Sequence, residues 1–141
     1  MTADYSRWVE RWQAAIAACE RLGGDNQSLT VAPPATPDEV AAAEKTLGIE
    51  LPSSFRAALL EFSAHVEMYW FLPDDQEPPT ELKEIFSGDG SWGLQRLLQA
   101  EESRRNWVEV AFINQDDLYD LVWHNKLGFA KWQTATSWRL I

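Results

Sequence analysis

The chain has one cysteine, Cys19, and so forms no internal disulfide. It has two histidines, His65 and His124. Neither has a second His, Cys or carboxylate at a convincing metal-ligand spacing. Long apolar runs are missing. Asp4, Arg7, Glu10, Arg11, Glu20 and Arg21 interrupt Met1 to Leu22, which excludes a signal peptide or a membrane span there. No serine sits in a Gly-x-Ser-x-Gly elbow, and no glycine-rich loop carries a phosphate-cradling lysine. Bases are scarce: 12 Lys and Arg stand against 22 Asp and Glu, a formal net charge of -10. That balance argues against nucleic acid or an anionic membrane as partner. It permits a basic protein, and a nucleic-acid-binding enzyme is one. The bland role of such charge is solubility. A lone thiol and no export signal make the reducing cytoplasm the expected compartment.

What is present suffices for one packed domain. The 141 residues are 45% hydrophobic and 12% aromatic, well outside a disordered composition. Eight tryptophans are too many to hide completely, so some indoles should reach the surface or a partner. Tyr5 to Leu22 reads as an amphipathic helix, with Tyr5, Trp8, Val9, Trp12, Ile16 and Cys19 on one face. That stripe suits the domain's own sheet better than a partner, and Cys19 on it reads as a buried, inert thiol. Gly23 and Gly24 stop the helix, and Ser28 to Ala32 reads as a short strand.

The stretch Thr36 to Phe62 reads as helix, elbow, helix. Thr36 is an N-cap, Pro37 fits the first helical position, and Glu39 stands at the capping-box position. Val40, Ala43 and Leu47 line one face, and Gly48 suits a left-handed closure. Ile49 and Leu51 are expected to face inward across the elbow. Pro52 opens a second helix with Phe55, Leu59 and Phe62 as its buried stripe.

Further on, Val66 to Leu72 reads as a strand, Pro73 to Thr80 as a loop, and Thr80 to Phe86 as a short helix. Ser87 to Gly90 reads as a turn, and Gly88 to Gly93 as a glycine turn exposing Trp92 at its tip. Ser91 then caps a helix to about Arg105, with Leu94, Leu97 and Leu98 inward. The last third reads as an antiparallel meander: Val108 to Ile113, Tyr119 to His124, Phe129 to Gln133 and Ser137 to Ile141. The expected class is α+β, N-terminal helices packed on a mainly antiparallel sheet, in one domain over residues 1–141.

The elbow carries a resemblance. Thr36, Pro37, Glu44, Leu47, Gly48, Leu51, Pro52, Phe55, Arg56, Leu59 and Leu60 stand in the order and spacing of the SUKH signature. The stretch resembles that superfamily, whose fold is shared by the yeast cell-wall assembly regulator and many bacterial immunity proteins. It covers about a fifth of the chain. One departure is that Ser63, Ala64 and His65 stand where members often have Asn-Gly-Gly. The resemblance implies a non-catalytic, protein-binding chain: an immunity protein that neutralises a cognate bacterial toxin by covering its active site. A regulatory interaction module inside the cell is the alternative it also implies. Members usually continue through further strand and a final helix, so an end at Ile141 marks either a truncated chain or a shortened member.

Charge concentrates in one place. From Ala64 to Gly90 the acids are Glu67, Asp74, Asp75, Glu77, Glu81, Glu84 and Asp89 against Lys83 alone, a net of -6. Leu121 to Ile141 has Lys126, Lys131 and Arg139 and no acid. An acidic loop beside aromatics fits a protein-binding rim, with aromatic anchors for affinity and carboxylates for steering. The candidate contact residues are therefore Trp70, Asp74, Asp75, Glu77, Asp89 and Trp92, facing a basic toxin domain such as a nuclease. No catalytic residue, metal ligand or cofactor is assigned. Asp116, Asp117 and Asp120 are the densest carboxylates, but Asp is also a loop former and the calcium-loop Gly and Glu are missing. A small hydrolase using scattered carboxylates is the third reading; it requires a concave pocket with convergent titratable groups.

Overall fold

The computed structural model describes residues 4–24, 26–71, 88–124, 126–133 and 137–140. Five helices and five strands follow in the order α1 (Tyr5–Arg21), β1 (Asn26–Val31), α2 (Pro37–Leu47), α3 (Ser53–Glu61), β2 (His65–Phe71), β3 (Gly88–Gly93), α4 (Leu94–Val110), α5 (Leu118–Leu121), β4 (Gly128–Gln133) and β5 (Ser137–Leu140). The strands form one antiparallel sheet in simple sequence order, β1-β2-β3-β4-β5. The class is α+β, with α1 packed on β1 and β2, and α4 packed on β4 and α2.

The elbow forms for the reasons its residues suggest. Thr36 Oγ1 accepts from the Glu39 amide at 3.3 Å, and the Glu39 carboxylate accepts from the Thr36 amide at 2.8 Å. Gly48 closes α2 at φ 73°, where a Cβ is unfavourable. Glu44 then acts as a clamp. Its carboxylate accepts from the Leu51 amide at 3.0 Å and pairs with Arg56 at 3.4 Å, holding both arms of the turn. Leu51 is buried, but Ile49 is 43% exposed, so only one of the two expected elbow residues faces inward. The amide of Leu51 is tied to Glu44, and that bond fixes which side of the turn goes in.

Val40, Leu47, Leu51, Leu59, Leu97 and Leu127 make the core, joining α2, α3, α4 and the approach to β4. Leu59 and Leu97 are fully buried, and each contributes about 1.5–3 kcal/mol by burial. The α1 stripe reaches the same body through Phe62: Tyr5 stacks on Phe62 at 4.9 Å, and Phe62 touches Trp92 at 6.1 Å. Cys19 is buried and its thiol lies 3.5 Å from the Phe71 carbonyl. Burial, then the nearby Glu20 charge, pushes that thiol's pKa up, which keeps it unreactive.

Ser63, the first residue departing from the family turn, is a buried hub. Its Oγ lies 2.7 Å from the carbonyls of Ala32 and His65 and accepts from the His65 amide at 3.2 Å. One hydroxyl thus ties the end of α3 to β1 and β2.

Three expectations are corrected. Gly88 to Gly93 is the strand β3 in the middle of the sheet, paired to β2 and β4, and Ser91 caps no helix. Gly93 fits because backbone approaches closely: a Cβ there would lie 2.5 Å from the Ala64 carbonyl oxygen. Val108 to Ile113 is not a strand, because α4 continues through Val110 and closes with Ala111 and Phe112 amides on the Trp107 carbonyl. Tyr119 to His124 is not a strand either. The Asp117 carboxylate accepts from the Tyr119 amide at 2.7 Å and starts the short helix α5. Capping and tertiary anchoring outweigh the β-propensity of the valines and tyrosine here. The loop Pro73 to Thr80 and the helix Thr80 to Phe86 lie outside the described residues, as does Ser87, while Gly88 to Gly90 of the expected turn are strand instead.

Candidate functional site

The sheet register decides which candidate residues share a face. In antiparallel pairing, directly opposed residues point the same way and neighbours along a strand alternate. Val66 opposes Trp92, Tyr69 opposes Asp89, and Trp70 opposes Gly88. Trp70 and Trp92 therefore share one face, about 13 Å apart along the strands at four residues' rise. Asp89 lies on the other face. The three do not converge. Trp92 is half-buried in the sheet rather than exposed at a turn tip, and its ring packs on Phe55 at 5.9 Å and on Phe62. Trp70 is half-buried also. Asp74, Asp75 and Glu77 fall outside the described residues.

A groove runs between α2 and α4. One part, about 500 Å³, has Ala42, Ala43, Leu94 and Leu98 as an apolar floor and Glu39 and His65 at its end. A second part of about 600 Å³ continues past Thr46, Gln95 and Leu98 toward Arg105 and Glu109. Glu39 and His65 in the groove are engaged with structure. Glu39 caps α2, and backbone and side-chain hydrogen bonds from Thr36 hold its carboxyl below the usual range. His65 lies 3.7 Å from Glu67, which also pairs with Arg96 at 3.6 Å. Among the described residues, no three His, Cys, Asp or Glu are grouped to hold a metal ion.

The far end of the groove is governed by Glu101, a buried carboxylate. Arg104 grips it in a fork at 2.7 and 2.8 Å, Arg105 donates at 2.8 Å, and the Gly128 amide at 3.3 Å. Burial raises this carboxyl's pKa, but the hydrogen bonds from Arg104, Arg105 and Gly128 outweigh it, so the net shift is downward. Arg105 also donates to the Leu47 carbonyl at 2.9 Å, and Arg104 to the Trp123 carbonyl. One buried charge thus joins α2, α4, the start of β4 and the segment after α5.

That segment forms a corner that the sequence pattern did not reveal. Phe112 stacks on Trp123 at 4.6 Å and 2°, with Tyr119 at 5.8 Å and Trp107 at 6.3 Å around it. His124 Nε2 donates to the Phe112 carbonyl at 2.8 Å. Asp120 accepts from the Asn114 amide and Asp117 from Tyr119, so two of the three clustered aspartates build the loop. The available signal was the run of β-formers interrupted by Asp116 and Asp117, which also fits a capped helical turn.

A family model, SMI1 / KNR4 (SUKH-1), matches residues 34–133, more than half of the chain. The chain belongs to the SMI1/KNR4 family. The SUKH signature residues are now seen to build the elbow: Thr36 caps, Glu44 clamps, Arg56 pairs, Leu51 and Leu59 fill the core. Searches of curated proteins and of solved structures give no match. Among the described residues, no helix of this SUKH chain is long and apolar enough to cross a membrane.

Proposed function

We propose that this chain is a non-catalytic immunity protein, acting in the cytoplasm, that binds a cognate bacterial toxin and covers its active site. The observation that carries the reading is membership of a family that resemblance links to toxin immunity, on a chain with net charge -10. The toxin's binding surface is basic, as the substrate groove of a nuclease is. Rapid electrostatic capture comes first and burial of apolar contacts follows. Asp74, Asp75, Glu77 and Asp89 supply steering charge, and Trp70, on the opposite sheet face from Asp89, supplies aromatic contact. Trp92, packed on Phe55 and Phe62, belongs mainly to the fold.

The test is charge reversal. Asp74→Lys, Asp75→Lys and Glu77→Lys together should slow association with the toxin at least about tenfold and flatten its salt dependence. Stopped-flow association across a salt series reads both. Unchanged rates and slope would remove the acidic loop from the mechanism.

A further inference from the structure

Isolated apolar residues on a soluble surface are ordinary; a joined group is not. Trp107 is 49% exposed, Val110 71%, Ile113 68%, Leu118 82% and Tyr119 66%. They lie within the α4–α5 corner, where Trp107 and Tyr119 flank the Phe112 ring. The rings are fixed before any partner arrives. Arg104, itself locked on Glu101, holds the Trp123 carbonyl, and His124 holds that of Phe112. A surface ordered in advance loses less conformational freedom on binding.

The charge around it selects the occupant. From Trp107 to Val122 the charged residues are Glu109, Asp116, Asp117 and Asp120, with no Lys or Arg. Two copies of this chain meeting here would set carboxylates against carboxylates, which disfavours self-association. An apolar protrusion ringed by lysines or arginines fits both the rings and the rim. We infer that the α4–α5 corner is the anchoring surface for a basic protein partner, with the exposed aromatic and aliphatic side chains of residues 107–122 as its contact. This rests on the immunity reading above and locates its energetic centre away from the SUKH signature.

The experiment is a nitrogen-15 NMR titration with an inactivated form of the protein encoded immediately upstream of the gene. It is paired with calorimetry on the double variant Leu118→Ser, Tyr119→Ser. Both positions are exposed, so the variant keeps the fold, which its amide spectrum checks. The expected result is shifts concentrated in residues 107–124 and a dissociation constant raised about 100-fold. A complex whose shifts fall elsewhere, and whose affinity the variant leaves unchanged, overturns the corner and leaves the immunity reading standing. No complex at all removes the immunity reading. The corner is then judged with a synthetic amphipathic helix bearing leucines on one face and arginines beside them. Shifts at 107–124 sustain it and their absence overturns it. Sedimentation showing a dimer abolished by the variant would assign the corner to a second copy and also overturn it.

Discussion

The elbow and the α4–α5 corner are built from similar residues and do opposite things. In the elbow, Leu47, Leu51 and Leu59 are buried, and Thr36 and Glu44 satisfy the backbone around them. In the corner, Val110, Ile113, Leu118 and Tyr119 are exposed, yet hydrogen bonds from Arg104 and His124 hold the backbone beneath them. The difference teaches that a family signature can mark the scaffold while the surface free to bind lies outside it. Apolar area in the elbow is used once, on folding. Apolar area in the corner is still available.

Core truncation sharpens the contrast most. Leu59→Ala should cost about 2–5 kcal/mol, because a fully buried side chain leaves a cavity. Leu118→Ser should change stability by no more than about 0.5 kcal/mol. Urea denaturation of both, with equal slopes, measures the gap. Similar losses would mean that the corner is part of the core after all.

Next in size is the link between the two regions. Glu101→Gln should cost about 1.5–3 kcal/mol, the worth of hydrogen bonds to a charged group. The sign with pH follows from the downward shift. The folded carboxyl binds a proton less readily than the unfolded one, whose ordinary value is about 4.3. Its stabilisation is therefore complete above that value and is lost as pH falls through the lower folded one. The wild-type advantage over Glu101→Gln should shrink on acidification in a denaturation series. A constant difference would show that the carboxylate's charge is not what holds the corner.

Much of the scaffold was legible because local chemistry and tertiary demand agree there. Thr36, Pro37, Glu39 and Gly48 each specify one conformation, and helical spacing placed Val40, Ala43 and Leu47 correctly. Strands β1, β2, β4 and β5 were legible within a residue or two for the same reason. The corner was not. Val108 and Val110 alternate with Glu109 and Ala111 as strand residues do, yet they form the last turn of α4, whose preceding turns carry the Glu101–Arg104–Arg105 network. Strand β3 hid behind three glycines; for Gly93 the packing reason is the nearby backbone at Ala64 and His65, invisible in one dimension. Of the candidate contacts, the sequence identified the residue types that suit binding. Pairing register alone reveals that Trp70 and Asp89 face opposite ways.

The most direct measurement is survival of bacteria expressing the protein encoded immediately upstream of this gene, with and without this chain. The account predicts rescue, together with a co-purifying complex that weakens as salt rises. Death despite a folded chain, with no complex recovered, would contradict it.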